Sequence, residues 1–246
     1  MEPGRHASIE TLALEWDAAL RRCVGGAQRL TVLYSGGLDS SLVAAGVRGL
    51  AQVELVTLGA AGSHDLVAAE RGARILELPW RSRTLTKHDV EGALARNESL
   101  LAESRSTSQA VLVGISLALD SSSDPLVACG QGADELFLGY AHFERLSREE
   151  ASQRRDKDLE QLLREDWPRS QALARSRGKS LVSPFLDPEF LEVARGLSID
   201  DLQAGAGRKP FLRALAERLG LPDELVTRPK KAFQYGSGIE RLLRRP

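Results

Sequence analysis

Apolar and polar positions alternate between two rhythms along the first 140 residues. Short apolar runs at Leu30–Leu33, Val53–Leu58, Arg74–Leu78 and Leu126–Cys129 read as strands. Between them, apolar residues at helical spacing predict helices over Ser40–Gly49, His64–Gly72, Lys87–Asn97 and Ser106–Leu119. Ahead of the first strand, Ile9, Leu12, Leu14, Trp16 and Leu20 suit an amphipathic helix over Ser8–Val24. Strands separated by helices imply βαβ units, and so an α/β fold with a doubly wound parallel sheet and helices on both faces. In such sheets ligands bind beyond the carboxyl ends of the strands. After Tyr140 the rhythm changes. Glu144–Arg164 is dense in charge with leucines at helical spacing, Pro188–Arg195 and Pro210–Leu219 read as helices, and no clear strand follows. The expected organisation is an N-terminal helix at 1–29, an α/β core at 30–140 and a helical C-terminal portion at 141–246 over its mouth.

The turn from the first strand into its helix, Leu33-Tyr34-Ser35-Gly36-Gly37-Leu38-Asp39-Ser40-Ser41, carries the sharpest chemistry. Adjacent glycines let backbone approach a ligand closely. The following helix turns its unpaired N–H groups and the positive end of its dipole into the loop. Ser35, Ser40 and Ser41 add hydroxyls, and Asp39 adds a carboxylate able to hold a metal ion. The combination reads as a phosphate cradle with a magnesium anchor. It is not the G-x-x-x-x-G-K-[ST] type, because no lysine lies near the loop in sequence. The plainer alternative is a glycine-serine turn with an aspartate starting a helix. The placement between a strand and a helix favours the cradle.

A second glycine-rich stretch, Cys129-Gly130-Gln131-Gly132-Ala133-Asp134-Glu135-Leu136-Phe137-Leu138-Gly139-Tyr140, follows another strand-like run. It should therefore meet the first loop across one crevice. Asp134 would bring a second carboxylate, and two aspartates from two strand ends could share one Mg²⁺, which prefers oxygen ligands. Taken alone, acids at a helix start are favoured by the dipole anyway.

Composition narrows the class without naming the chemistry. The 246 residues suffice for one full core, and 42% hydrophobic with 27% charged residues is ordinary for a globular chain. Only six of the 33 basic residues are lysine, so each lysine merits inspection. Cys23 and Cys129 are too few for a disulfide framework and form no C-x-x-C pair, so reduced thiols are expected. The sequence has no apolar run approaching 18 residues and no apolar N-terminal signal segment, so a soluble cytoplasmic protein with no membrane partner is expected. A nucleic-acid enzyme would be expected to show a stronger basic surface than a net charge of −1 suggests.

Taken together these motifs resemble the synthetase domain of asparagine synthetase, within the ATP pyrophosphatase superfamily. The first loop matches S-G-G-L-D-S-S, Gly62 to Ala69 resembles G-S-x-D-L-x-x-A, and Gly130 to Tyr140 resembles G-E-G-x-D-E-x-F-x-G-Y. Pro184-Phe185-Leu186-Asp187 matches P-F-L-D, and Lys209, Leu212-Arg213, Leu221-Pro222 and Arg228-Pro229-Lys230 resemble K-x-x-L-R … L-P … R-x-K. The resemblance spans roughly residues 30–240. It implies a HUP-type, adenine-nucleotide α-hydrolase-like fold and an AMP- and pyrophosphate-forming amide ligase using ATP and Mg²⁺. It implies that Ser35, Gly36, Gly37, Asp39, Ser40 and Ser41 take the β- and γ-phosphates. Leu33, Leu58, Cys129 and Gly130 would pack adenine and ribose, and Asp39 with Asp134 would hold the metal. Lys230 would stabilise charge during adenylation and attack on the acyl-adenylate.

Two departures bear on the substrate. Gln131 stands where asparagine synthetases carry glutamate, and an amide hydrogen-bonds but cannot act as a base. Val182 replaces an arginine common two residues before P-F-L-D. Residue 2 is glutamate rather than the cysteine nucleophile of the family's glutaminase domain, so the expectation is a stand-alone synthetase form. Its partners would then be a small carboxylate, aspartate or a related acid, with ammonia, an amine or a separate glutaminase subunit as the nitrogen source. Oligomeric state, a homo-oligomer included, is left open. Two competing readings are an ATP pyrophosphatase acting on a tRNA base or nucleotide, and a non-catalytic nucleotide-binding homologue.

Overall fold

Leu30, Thr31 and Val32 are all fully buried, because the strand that holds them, β1 (Arg29–Leu33), lies in the middle of a parallel sheet covered on both faces. The computed structural model describes residues 3–102, 104, 106–228 and 236–243. Four further strands, β2 (Gln52–Ala60), β3 (Trp80–Leu85), β4 (Leu126–Ala128) and β5 (Ser180–Val182), complete the order β3-β2-β1-β4-β5. Every pairing is parallel. The α/β class and the doubly wound sheet are as expected from the alternating rhythm.

Period-two side-chain alternation sends each strand's residues to two separate cores. Leu30, Val32, Val53 and Leu55 join one cluster, while Val56, Leu58, Val127 and Leu181 join the other. The first cluster is covered by α1 (Pro3–Val24), α2 (Leu38–Val47) and α3 (His64–Leu76). The second is covered by α4 (Lys87–Arg96) and α5 (Ser106–Ser121). The C-terminal half adds α6 (Arg148–Gln161), α7 (Trp167–Arg175), α8 (Pro188–Arg195), α9 (Pro210–Arg218) and α10 (Ile239–Leu243). A single turn of π-helix, Leu162–Asp166, joins α6 to α7.

Two expectations change. Arg74–Leu78 is no strand: Ala69, Ala73 and Leu76 continue one buried helical row of α3, and Glu77 closes it in the left-handed region at φ 54°. The strand that pairs with β2 comes after this cap. It is an edge strand whose mixed, largely exposed sequence hides the pattern. The stretch beyond Tyr140 does contain a strand, since Ser180–Val182 pairs with β4. Three residues are too short for periodicity to reveal.

Strand order reverses between β1 and β4, and that is where a doubly wound sheet opens its crevice. The two glycine-rich loops leave these two strands.

Candidate active site

Both loops line one cavity of about 510 Å³. From the first loop and its neighbours come Leu33, Ser35, Gly37, Asp39, Ser40 and Leu58. From the second come Cys129, Gly130, Gln131 and Asp134. Leu33 and Leu58 face the α5 residues Val111, Leu112 and Ile115 across its apolar end. Three expected site residues stand apart. Gly36 packs under α3 instead of lining the cavity: at φ 69° it has no room for a side chain, and a Cβ would sit 2.6 Å from the backbone of Ala68 and Ala69. The Ser41 hydroxyl is wholly buried and pairs with Tyr34 Oη at 3.1 Å, so it serves the core. Lys230 lies outside the described residues.

The loop after β1 is held by its own hydroxyls. The Gly37 amide donates to Ser35 Oγ at 3.3 Å, the Ser35 amide to Ser40 Oγ at 3.3 Å, and Ser40 Oγ to the Gly37 carbonyl at 3.2 Å. Asp39 follows in the first turn of α2. Across the crevice, Gly132 at φ 94° starts the short turn Ala133–Leu136 that presents Asp134. The two aspartates meet on a residue given no role from sequence. Lys209 Nζ donates to Asp39 Oδ1 at 2.6 Å and lies 2.6 Å from Asp134 Oδ1.

Lys209 is 2% exposed and precedes α9 in the left-handed region at φ 54°, an uncommon conformation for a side-chain-bearing residue. Burial pulls its ammonium below the usual lysine range, opposed by the Asp39 carboxylate. Gly139 makes the approach sterically available: a Cβ there would fall 1.9 Å from Asp134 Oδ1 and 2.3 Å from Lys209 Cε. The signal in the sequence was the scarcity of lysine together with the position of Lys209 in a matched motif.

Arg208, Arg213 and Arg228 add positive charge to the same wall. Arg228 donates to the Ser35 carbonyl at 3.2 Å and contacts His64 Nδ1 at 2.8 Å, tying the chain after α9 to the first loop. Arg213 donates to the Arg208 and Arg228 carbonyls at 3.0 and 3.3 Å. Beside Asp134, burial raises the Glu135 carboxyl, and Tyr140 Oη donates to it at 2.5 Å. Ser183 Oγ donates to the Gln131 carbonyl at 2.6 Å, while Cys129 Sγ lies 3.8 Å from Gln131 Oε1. Burial pushes the Cys129 thiol up to about 12, so it is no nucleophile at neutral pH.

The donor set fits Mg²⁺. Asp39 and Asp134 already close on a single cation, and hard carboxylate oxygens suit that ion. Among the described residues no group of three His, Cys, Asp or Glu side chains gathers as a metal cluster, so the remaining ligands would be phosphate oxygens or water.

The family model of asparagine synthase matches residues 12–182 and 157–245, nearly the whole length. The chain belongs to the asparagine synthase family. Relatives are distant. A putative glutamine-hydrolyzing asparagine synthetase of Methanocaldococcus jannaschii is 29% identical over 266 residues, covering 92% of this chain and 49% of that protein. The glutamine-hydrolyzing asparagine synthetase of Gallus gallus is 28% identical over 237 residues, covering 90% of this chain and 42% of that protein. This family member thus spans about half the length of the curated relatives it matches. Among solved structures, the NH3-dependent NAD synthetase from Campylobacter jejuni is similar over 91% of this chain and 79% of that one, with a TM-score of 0.48 and 16% identity. Among the described residues of this asparagine synthase family chain, no helix is long and apolar enough to cross a membrane.

Proposed function

We propose that the chain is an ATP-dependent amide ligase that forms AMP and pyrophosphate. The observation that carries the reading is the convergence of Asp39 and Asp134, from two strand ends, on one cation in a crevice walled by arginines. A carboxylate oxygen of the acid substrate attacks the α-phosphorus, and pyrophosphate leaves with the electrons of the broken P–O bond. Ammonia or an amine then attacks the acyl carbon, AMP leaves, and the nitrogen gives up a proton. Such transfers need positive charge and alignment more than covalent work by the protein.

Asp39 and Asp134 would hold Mg²⁺, which when bound neutralises charge on the separating phosphates. The hydroxyls of Ser35 and Ser40, the backbone at Gly36 and Gly37 and the start of α2 would seat the pyrophosphate portion. Leu33, Leu58 and the backbone at Cys129 and Gly130 would enclose adenine and ribose, and Arg228 would brace the loop. Gln131 would orient the acyl group as a neutral hydrogen-bonding residue. The general-base task falls to another group or to the incoming amine. Aspartate or a related small acid is the proposed carboxylate. Lys230, by its place in the matched motif, would stabilise the transition state.

Pyrophosphate release tests the reading, measured with ATP and Mg²⁺ over a panel of carboxylates with and without ammonia. Release dependent on one acid, with an amide product by mass, is the expected result; no release with any acid would overturn it. Lys230→Ala should lose most turnover while keeping the native circular dichroism spectrum.

A further inference from the structure

We propose that Lys209 is a resident counter-cation that occupies the metal position between Asp39 and Asp134 until a nucleotide's phosphates draw it away, so that metal and nucleotide bind as a coupled pair. The inference rests on the proposed metal-binding role of the two aspartates and extends it to the order of loading.

Three side chains from distant segments meet at one point, and only one of them is positive. Each carboxylate oxygen lies 2.6 Å from Lys209 Nζ, so the two oxygens are within about 5 Å of each other. Two like charges at that spacing in a buried site repel strongly unless a cation lies between them. The ammonium is placed to supply that cation, since Lys209 is buried and its Nζ is the point where both oxygens converge. It is also mechanically fixed. Its carbonyl accepts from the Arg213 amide at 3.0 Å in the first turn of α9, its backbone is held left-handed, and Gly139 leaves its Cε packed against bare backbone.

A bare divalent cation must therefore displace the ammonium from both oxygens and leave it buried without a partner. That cost falls on free metal and weakens its binding. A triphosphate changes the balance because its oxygens offer Lys209 new acceptors beside the first loop while also offering the metal ligands. Metal and nucleotide then favour each other reciprocally, as linkage requires.

Mn²⁺ binding followed by electron paramagnetic resonance, without turnover, tests this on wild type and on Lys209→Met. Without nucleotide, Lys209→Met should bind Mn²⁺ about tenfold or more tighter than wild type. Addition of α,β-methylene-ATP should tighten Mn²⁺ binding strongly in wild type and much less in the variant. Equal or weaker nucleotide-free binding in Lys209→Met overturns the proposal while leaving the ligase reading intact. Absence of Mn²⁺ binding by either protein, even with the analogue, overturns it together with the metal assignment. Should Lys209→Met unfold because the aspartates repel, recovery of the fold by Mn²⁺ supports the proposal. Failure of Mn²⁺ to restore that fold, with Lys209→Gln folded and binding Mn²⁺ no tighter than wild type, overturns it.

Discussion

Two places in the molecule are built on an aspartate facing a base, and they are used in opposite ways. At the seam between α1 and α8, Asp187 accepts from Arg22 Nη2 at 2.5 Å and Nε at 3.0 Å, and also from the Phe190 amide at 3.2 Å as the cap of α8. Next to it Trp16 packs on Phe185 and Phe190, with ring centroids 4.7 and 5.3 Å away. Charge is balanced there, the arginine is partly exposed, and the carboxylate does two structural jobs at once. In the crevice, two carboxylates share one buried lysine, and a glycine must be bare for them to meet. The seam is arranged for stability. The crevice carries an acid in excess and gains stability only when something positive arrives, which is how a site differs from a clasp.

The contrast breaks most sharply if the crevice carboxylates prove dispensable. Asp39→Ala or Asp134→Ala should lower pyrophosphate release by on the order of 10²–10³ or more, with the thermal midpoint unchanged or raised; near-normal turnover would contradict the metal assignment. At the seam the effect should reverse. Trp16→Ala removes a side chain 1% exposed and should cost about 3–5 kcal/mol in urea unfolding, whereas a loss below about 1 kcal/mol would show that the aromatic cluster is not what holds α1.

Gly139→Ala should separate the two regions in one protein. Its Cβ would push Asp134 from Lys209, so turnover should fall at least about tenfold while stability shifts by about 1 kcal/mol or less of the seam's kind. Asp187→Asn weakens the cap and the arginine pairing, and the cap alone is worth about 1 kcal/mol. Its pH dependence has a definite sign. Burial raises the Asp187 carboxyl, but the Arg22 hydrogen bonds outweigh this and hold it below the usual range. The pair therefore contributes fully above the unfolded value near ~3.9 and is lost as pH falls through the lower folded value. Wild type and Asp187→Asn should then converge in stability as the pH drops below about 4; a gap that persists in strong acid would contradict the charge component. The smallest effect concerns the thiols. Burial pushes both Cys23 and Cys129 up to about 12, so a disulfide reagent at pH 8 should label neither until the protein unfolds.

Much of this was legible in the chain. Hydrophobic rhythm placed β1, β2, β4 and the helices that separate them, because helix and strand periods are local properties of consecutive side chains. The two glycine-rich loops announced themselves by composition, and both line the crevice at the switch point. Misreadings arose where local pattern was overruled or too short. The row Ala69, Ala73 and Leu76 carried α3 through a stretch that looked like a strand, and β5 has only three residues. Ser41 looked equivalent to Ser35 and Ser40, yet the turn of α2 carries its hydroxyl to Tyr34 in the core.

The sequence alone carried the α/β class, the family motifs and the identity of both carboxylates, since these depend on spacing within a few tens of residues. Tertiary structure alone decided that Lys209 joins them. It lies 170 positions from Asp39, and only the stacking of strand ends, a left-handed backbone and a bare glycine bring its ammonium between the two acids.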